Sequence, residues 1–135
     1  MALQFSVALR NAILQALADR IGAASQMILY TGAMPANAAA ARTGTVVATI
    51  EVPDTPFDPP ANGVMAKAGV WEDGSADAAG TLGYFTIFED ASTTVLLQGT
   101  VTATGGGGDL QVDNTVVTAG QQITINTLTL TAQNA

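Results

Sequence analysis

The 135-residue chain contains no cysteine and no histidine, and it carries only four Lys and Arg against eleven Asp and Glu, a formal charge of −7. Without imidazole or thiolate there is no base, nucleophile or ligand set for zinc, copper, haem or iron–sulfur sites of the usual kinds, so no cofactor is expected. No disulfide supports the fold. The four cations, at positions 10, 20, 42 and 67, are too scattered to neutralise a phosphate backbone, which argues against a nucleic-acid partner. Long apolar runs are missing as well. No window reaches the roughly 18 to 20 apolar residues of a membrane span. The opening Met-Ala-Leu-Gln-Phe-Ser lacks a positive segment, and Arg10 and Arg20 interrupt the apolar stretch after it, so no secretory signal is expected and the chain reads as made in the cytoplasm.

What remains is 48% hydrophobic and only 11% charged, an unusually neutral inventory for a surface that faces only water. A chain of this length is expected to form one domain over residues 1–135 and to bury about 68% of its unfolded surface. Phe5, Leu9, Ile13, Leu17 and Ile21 recur at i+4 beside Ala8, Ala12 and Ala16, which predicts an amphipathic helix over about 5–21, capped by Ser6 and stopped at Gly22. Two readings of this stripe stand: it covers the domain's own core, or part of it docks on a neighbouring subunit.

Beyond the helix the pattern is mainly β. Met27–Thr31 is a short apolar run bounded by Gly32, read as a strand covered on both faces. Pro35 with Ala36–Ala41 after it suggests a short helix. Val46, Ala48, Ile50 and Val52 alternate up to Pro53, where a Pro-rich loop over 53–63 begins. Phe57, its single bulky apolar residue, either pins that loop to the core or protrudes as a contact. Further strands are predicted from Val64 to Trp71, Leu82 to Glu89, Thr94 to Ala103, Leu110 to Val117 and Gln122 to Thr131. Asp90-Ala91-Ser92 and the glycine run 105–108 are read as hairpin tips, and Thr118–Gln121 as a hairpin turn. In the last strand the apolar set moves from Ile123 and Ile125 to Leu128 and Leu130, predicting a bulge near Asn126 or Thr127. The expected fold is an antiparallel β-sandwich or jelly-roll-like domain over about 27–131 with the N-terminal helix packed on it.

Chemistry is hard to assemble from the residues present. Glu72, Asp73 and Asp77, or Glu89 and Asp90, offer paired carboxylates for a hydrolase, but all stand beside turn residues, where Asp caps local backbone. Asp73, Ser75 and Asp77 imitate half a calcium loop without its glycine and closing Glu. The run Thr104–Asp109 has no Lys to make a phosphate cradle. Lys67 reads as an outward residue that blunts an edge strand. Trp71 is a core anchor or an interface hot spot.

The words Ser6-Val7-Ala8-Leu9-Arg10-Asn11-Ala12, Tyr30-Thr31-Gly32-Ala33-Met34-Pro35-Ala36-Asn37, Thr43-Gly44-Thr45-Val46-Val47-Ala48-Thr49 and Thr118-Ala119-Gly120-Gln121-Gln122-Ile123-Thr124-Ile125 resemble small virion structural proteins of tailed bacteriophages and prophages. That resemblance implies a non-enzymatic particle component present in many copies, located in the virion after synthesis in the host bacterium. Its partners would be itself, as a homo-oligomer, and a major capsid, connector or tail protein. A decoration or cement role is favoured, and the alternative is a tail module whose loops 53–63, 72–80 and 104–109 bind a receptor or glycan. The resemblance implies no catalytic or metal residues. The candidate interface residues are Ala8, Ala12, Ala16, Phe57, Trp71, Gly106 and Gly107.

Overall fold

A computed structural model describes residues 3–22, 24–89 and 92–132. The elements are one helix, α1 (Val7–Arg20), and ten strands: β1 (Gln26–Thr31), β2 (Val46–Glu51), β3 (Val64–Ala66), β4 (Glu72–Asp73), β5 (Gly80–Phe88), β6 (Val95–Ala103), β7 (Leu110–Val112), β8 (Val116–Val117), β9 (Ile123–Thr124) and β10 (Thr129–Thr131). The protein is mainly β with an N-terminal helix, as its alternating patterns require. The large sheet runs β2-β1-β5-β6-β7, with β8 added to β5, and two short ladders, β10-β3 and β4-β9, complete the layers. One core gathers side chains from Leu14 of α1 to Ala132, including Met27, Leu29, Phe85 and Ile87 of the large sheet and Met65, Ile123 and Leu128 of the short ladders and their flanks. Apolar surfaces on both layers are buried against each other, the arrangement of a sandwich.

The sheet's other face is closed differently. Tyr30 and Tyr84 stack at 4.6 Å between ring centroids, and the Tyr84 hydroxyl donates to Thr43 O at 2.6 Å while accepting from Thr43 N at 3.0 Å. Gln98 donates to Pro35 O and accepts from Arg42 Nη1. The 32–45 connection is therefore held over the sheet by hydrogen bonds. This covers β1 on both faces, as its continuous apolar run predicts. The connection leaves the sheet at a point of close backbone approach: a Cβ on Gly83 would lie 1.9 Å from Gly32 O, so only glycine fits there.

Several local expectations are corrected. Residues 36–41 are turns, not a helix: Asn37 Oδ1 accepts from Ala39 N, and the Arg42 guanidinium takes the carbonyls of Ala38 and Ala40 that a helix would need. The β6–β7 connection is not a hairpin, because β7 lies parallel to β6 with Val101 opposite Leu110, making the large sheet mixed instead of purely antiparallel. Gly105 and Gly107, at φ 88° and 81°, let residues 104–109 double back in so few positions. The Thr118–Gln121 turn forms, with Gln121 N donating to Thr118 O at 3.1 Å, but its flanking strands part, β8 to β5 and β9 to β4. No bulge marks residues 126–127. The apolar phase slip is a change of partner, since β9 pairs with β4 and β10 with β3. The Val64–Trp71 strand stops at Ala66, and Gly69 turns the chain away at φ 72°. The predicted tip at Asp90 and Ala91 lies outside the described residues.

Candidate interaction surface

Ser6 caps α1, its Oγ accepting from Leu9 N at 3.2 Å. At the other end Ile21 is extended and its N–H returns to Leu17 and Ala18 carbonyls. Farther on, Ser25 N–H meets Gly22 O at 3.0 Å.

The helix is apolar on two opposite sides. Its inner side is Arg10, Asn11, Leu14, Leu17, Ala18 and Ile21. Arg10 Nε donates to Ala132 O at 2.9 Å and Asn11 Oδ1 accepts from Gly63 N at 2.8 Å, tying the first half to the β3–β10 ladder. Leu14 and Ile21 are buried in the core, with Leu17 and Ala18 packed beside them. The outer side is exposed: Phe5 at 36%, Leu9 at 47% and Ile13 at 43% of their surface, with Leu3 at 75% just before them. Ala8, Ala12 and Ala16 are exposed on the same side. The predicted i+4 stripe is thus split. Each i+4 step overshoots a full turn by about 40°, so within the helix, from Leu9 to Leu17, the row winds roughly 80°, from solvent toward the core.

The three alanines are therefore brought together on one open face of the helix with Leu9 and Ile13, and Phe5 is exposed just before the cap. Phe57 and Trp71 are not part of any surface. Phe57 packs edge-on against Trp71 at 5.5 Å and 69°, both are buried, and the indole N–H donates to Ala68 O at 3.0 Å. They are core anchors that pin the Pro-rich loop, because that loop supplies no other bulky side chain to hold it. Gly106 and Gly107 are exposed at the tip after β6. That tip is ordered: Gly105 N donates to Gln111 Oε1, Gly108 N to Thr102 Oγ1, and the Asp109 carboxylate accepts from both N and Oγ1 of Thr100.

Among the described residues the carboxylates weighed for catalysis or calcium have structural tasks, and Asp90 lies outside the described residues. Asp73 accepts from Ser75 N and, through its other oxygen, from Thr49 N at 3.0 Å, while Asp77 N donates to Val47 O at 2.8 Å. Together they close the outer edge of β2, an edge that would otherwise offer free backbone groups. Glu72 accepts from Gln122 and Glu89 pairs with Arg20 at the surface. Lys67 donates to Gly69 O at 2.9 Å and its backbone N–H to Leu128 O. Among the described residues no group of three or more carboxylates could share a metal ion. Four surface grooves, between 250 and 490 Å³, each contain no more than one charged side chain: Asp113, Arg42, Asp109 and again Asp109. General acid–base chemistry of the paired-carboxylate type has no two partners in any one of them.

No family model matches the chain, and no similar protein was found among curated proteins or solved structures. The outer face of α1 is the feature that the geometry singles out. Residues 7–18 hold one charge, Arg10, and it is turned inward to Ala132. Sequence reading named the alanines as a contact face and left the large residues of the stripe open between the domain's core and a neighbouring subunit.

Proposed function

We propose that the chain is a structural component of a tailed-phage particle, of the decoration or cement type, that works through repeated protein–protein contacts and not through catalysis. The observation that carries this reading is the uncharged apolar face of α1. An isolated domain gains nothing from exposing Leu3, Phe5, Leu9 and Ile13 together, whereas a subunit in a lattice covers them. The ordered Gly tip adds a second projecting contact, and the carboxylates hold turns and a strand edge. Thr-rich strands offer hydrogen bonds to neighbours without the cost of burying charge.

Mass spectrometry of purified particles from the phage or prophage that encodes the chain tests this. The chain should be present in mature particles, and particles assembled without it should lose resistance to heat or osmotic shock. Its absence from mature particles sinks the proposal. Presence at the tail tip alone, with loop substitutions that abolish adsorption but not assembly, would replace the cement role by a receptor-binding one.

A further inference from the structure

We infer that Asn62 is a site of spontaneous self-modification, and that the docking of α1 on the turn around it sets the rate. This goes beyond the particle role and does not depend on it.

The chemistry starts from one pair of residues. Of the six asparagines, Asn62 alone is followed by glycine, the residue with no side chain to hinder the approach of its backbone nitrogen to the amide before it. In such a pair the Gly63 nitrogen, having given its proton to hydroxide, attacks Asn62 Cγ. A C–N bond forms, the Cγ–Nδ2 bond breaks, and the leaving group takes a proton from water and departs as ammonia, which leaves a five-membered imide. Water then opens the ring at either carbonyl, giving aspartate or isoaspartate. Ammonia is exchanged for water and the new carboxyl ionises, so the chain gains one mass unit and one negative charge.

The fold opposes the first step. Asn62 and Gly63, at φ 53° and 73°, are the central residues of a hairpin turn closed by Ala61 N to Val64 O and Val64 N to Ala61 O, each at 2.9 Å. Two positive φ angles in succession are type I′ geometry, for which Asn-Gly is a preferred pair. The attacking nitrogen is occupied, because its N–H donates to Asn11 Oδ1 of α1 at 2.8 Å. Gly63 O accepts from Ala132 N at 2.9 Å, so the glycine is held at both ends. Arg10 lies across it so closely that a Cβ would sit 2.3 Å from the guanidinium carbon, and Arg10 Nε is itself tied to Ala132 O. Gly63 is buried under this cover while Asn62 is exposed. Asn62 therefore meets water and hydroxide but is kept from its nucleophile for as long as α1 is docked.

The same contacts explain why so reactive a pair stands here. The turn and the approach of Arg10 both demand glycine at 63, and among the described residues Asn62 is the one non-glycine with a positive φ, a conformation asparagine tolerates better than most residues. When α1 lifts, Arg10 and Asn11 leave together and the Gly63 N–H is freed. Isoaspartate then carries the main chain through Cβ and Cγ, one atom longer, and the two-residue turn no longer closes to present that N–H to Asn11. The modification is thus a one-way record of α1 release.

Incubation of the purified chain at mildly alkaline pH over several days, followed by trypsin, tests this. Cleavage after Arg42 and Lys67 releases residues 43–67, in which Asn62 is the single asparagine and glutamine is absent, so a gain of one mass unit there belongs to Asn62. The folded chain should be modified at least about tenfold more slowly than the chain in guanidinium chloride, because the reaction waits for local opening. Asn11→Ala should raise the folded-state rate about fivefold, the weight of one hydrogen bond, whereas Asn11→Asp, which keeps the acceptor, should not exceed the wild-type rate. Tryptophan emission checks that both variants remain folded. Equal rates in the folded and unfolded wild-type chain overturn the proposal, as does a folded Asn11→Ala chain modified no faster than wild type. Amide hydrogen exchange of the wild type decides independently of any variant: the Gly63 N–H should be slowed at least about tenfold, and free exchange there overturns the proposal as well.

Discussion

Ile13 and Leu14 are adjacent in sequence and point in opposite directions, which makes them the sharpest check on how α1 sits. Leu14 is 3% exposed and Ile13 is 43% exposed. Leu14→Ala removes a side chain enclosed by the core, and a leucine truncation of this kind costs about 2–5 kcal/mol. Because α1 lies on the rim of the domain and can settle toward the space, about 3 kcal/mol is expected. For a chain of this length that lowers the melting temperature by roughly 10 °C. Ile13→Ala removes a half-exposed side chain and installs the best helix former, a gain of about 0.4 kcal/mol that offsets the lost contact. Its net effect should be within about 0.5 kcal/mol of zero. Urea unfolding monitored by tryptophan emission, at submicromolar chain so that association does not contribute, measures both. Equal losses for the two variants would refute the two-sided helix and restore the reading in which the i+4 row as a whole faces the core.

Three further outcomes are expected. Gly83→Ala would place its Cβ 1.9 Å from Gly32 O, so the 32–45 connection must shift, and thermal unfolding should show a loss of more than about 2 kcal/mol. Tyr84→Phe removes one hydrogen bond given and one accepted at Thr43; a loss of about 1–3 kcal/mol is expected, and a calorimetric change below about 0.5 kcal/mol would show that water replaces both. Asp73→Ala frees the Thr49 and Ser75 amides, which should cost about 1–2 kcal/mol and raise light scattering on prolonged incubation, because the β2 edge is opened to pairing with another strand.

Much of the fold was legible because its elements are locally consistent. The Ser6 cap, the apolar run of β1 and the alternation in β2, β5 and β6 each announce one secondary structure, and each forms. The features that escaped were decided by distant partners. Residues 36–41 read as helical because nothing local reveals that Arg42 will claim their carbonyls. Thr118–Gln121 has the chemistry of a hairpin turn and forms a turn, yet loop 72–80 receives it: Ala76 N donates to Gln121 O and Gly120 N to Ala76 O. The candidate surface was half legible. The alanine row was named as a contact face, whereas the choice between core and neighbour for Leu9 and Ile13 depended on where Arg10 and Asn11 would be anchored, at Ala132 and Gly63, more than fifty residues along the chain. An apolar row with strict i+4 spacing cannot remain on one side of a straight helix of this length, and that drift was the available warning.

The burial of Trp71 gives the protein an optical label with a defined field of view. As the chain's single tryptophan, enclosed and in contact with Phe57, its fluorescence reports on the joint between the Pro-rich loop and the core. Association through α1 should leave that emission dark to the event, whereas lifting the loop by as little as the width of one ring would admit water and shift it to the red. Colour and mass therefore separate two processes in one sample: a change in size without a change in colour is assembly, and a change in colour without a change in size is loosening of the domain itself.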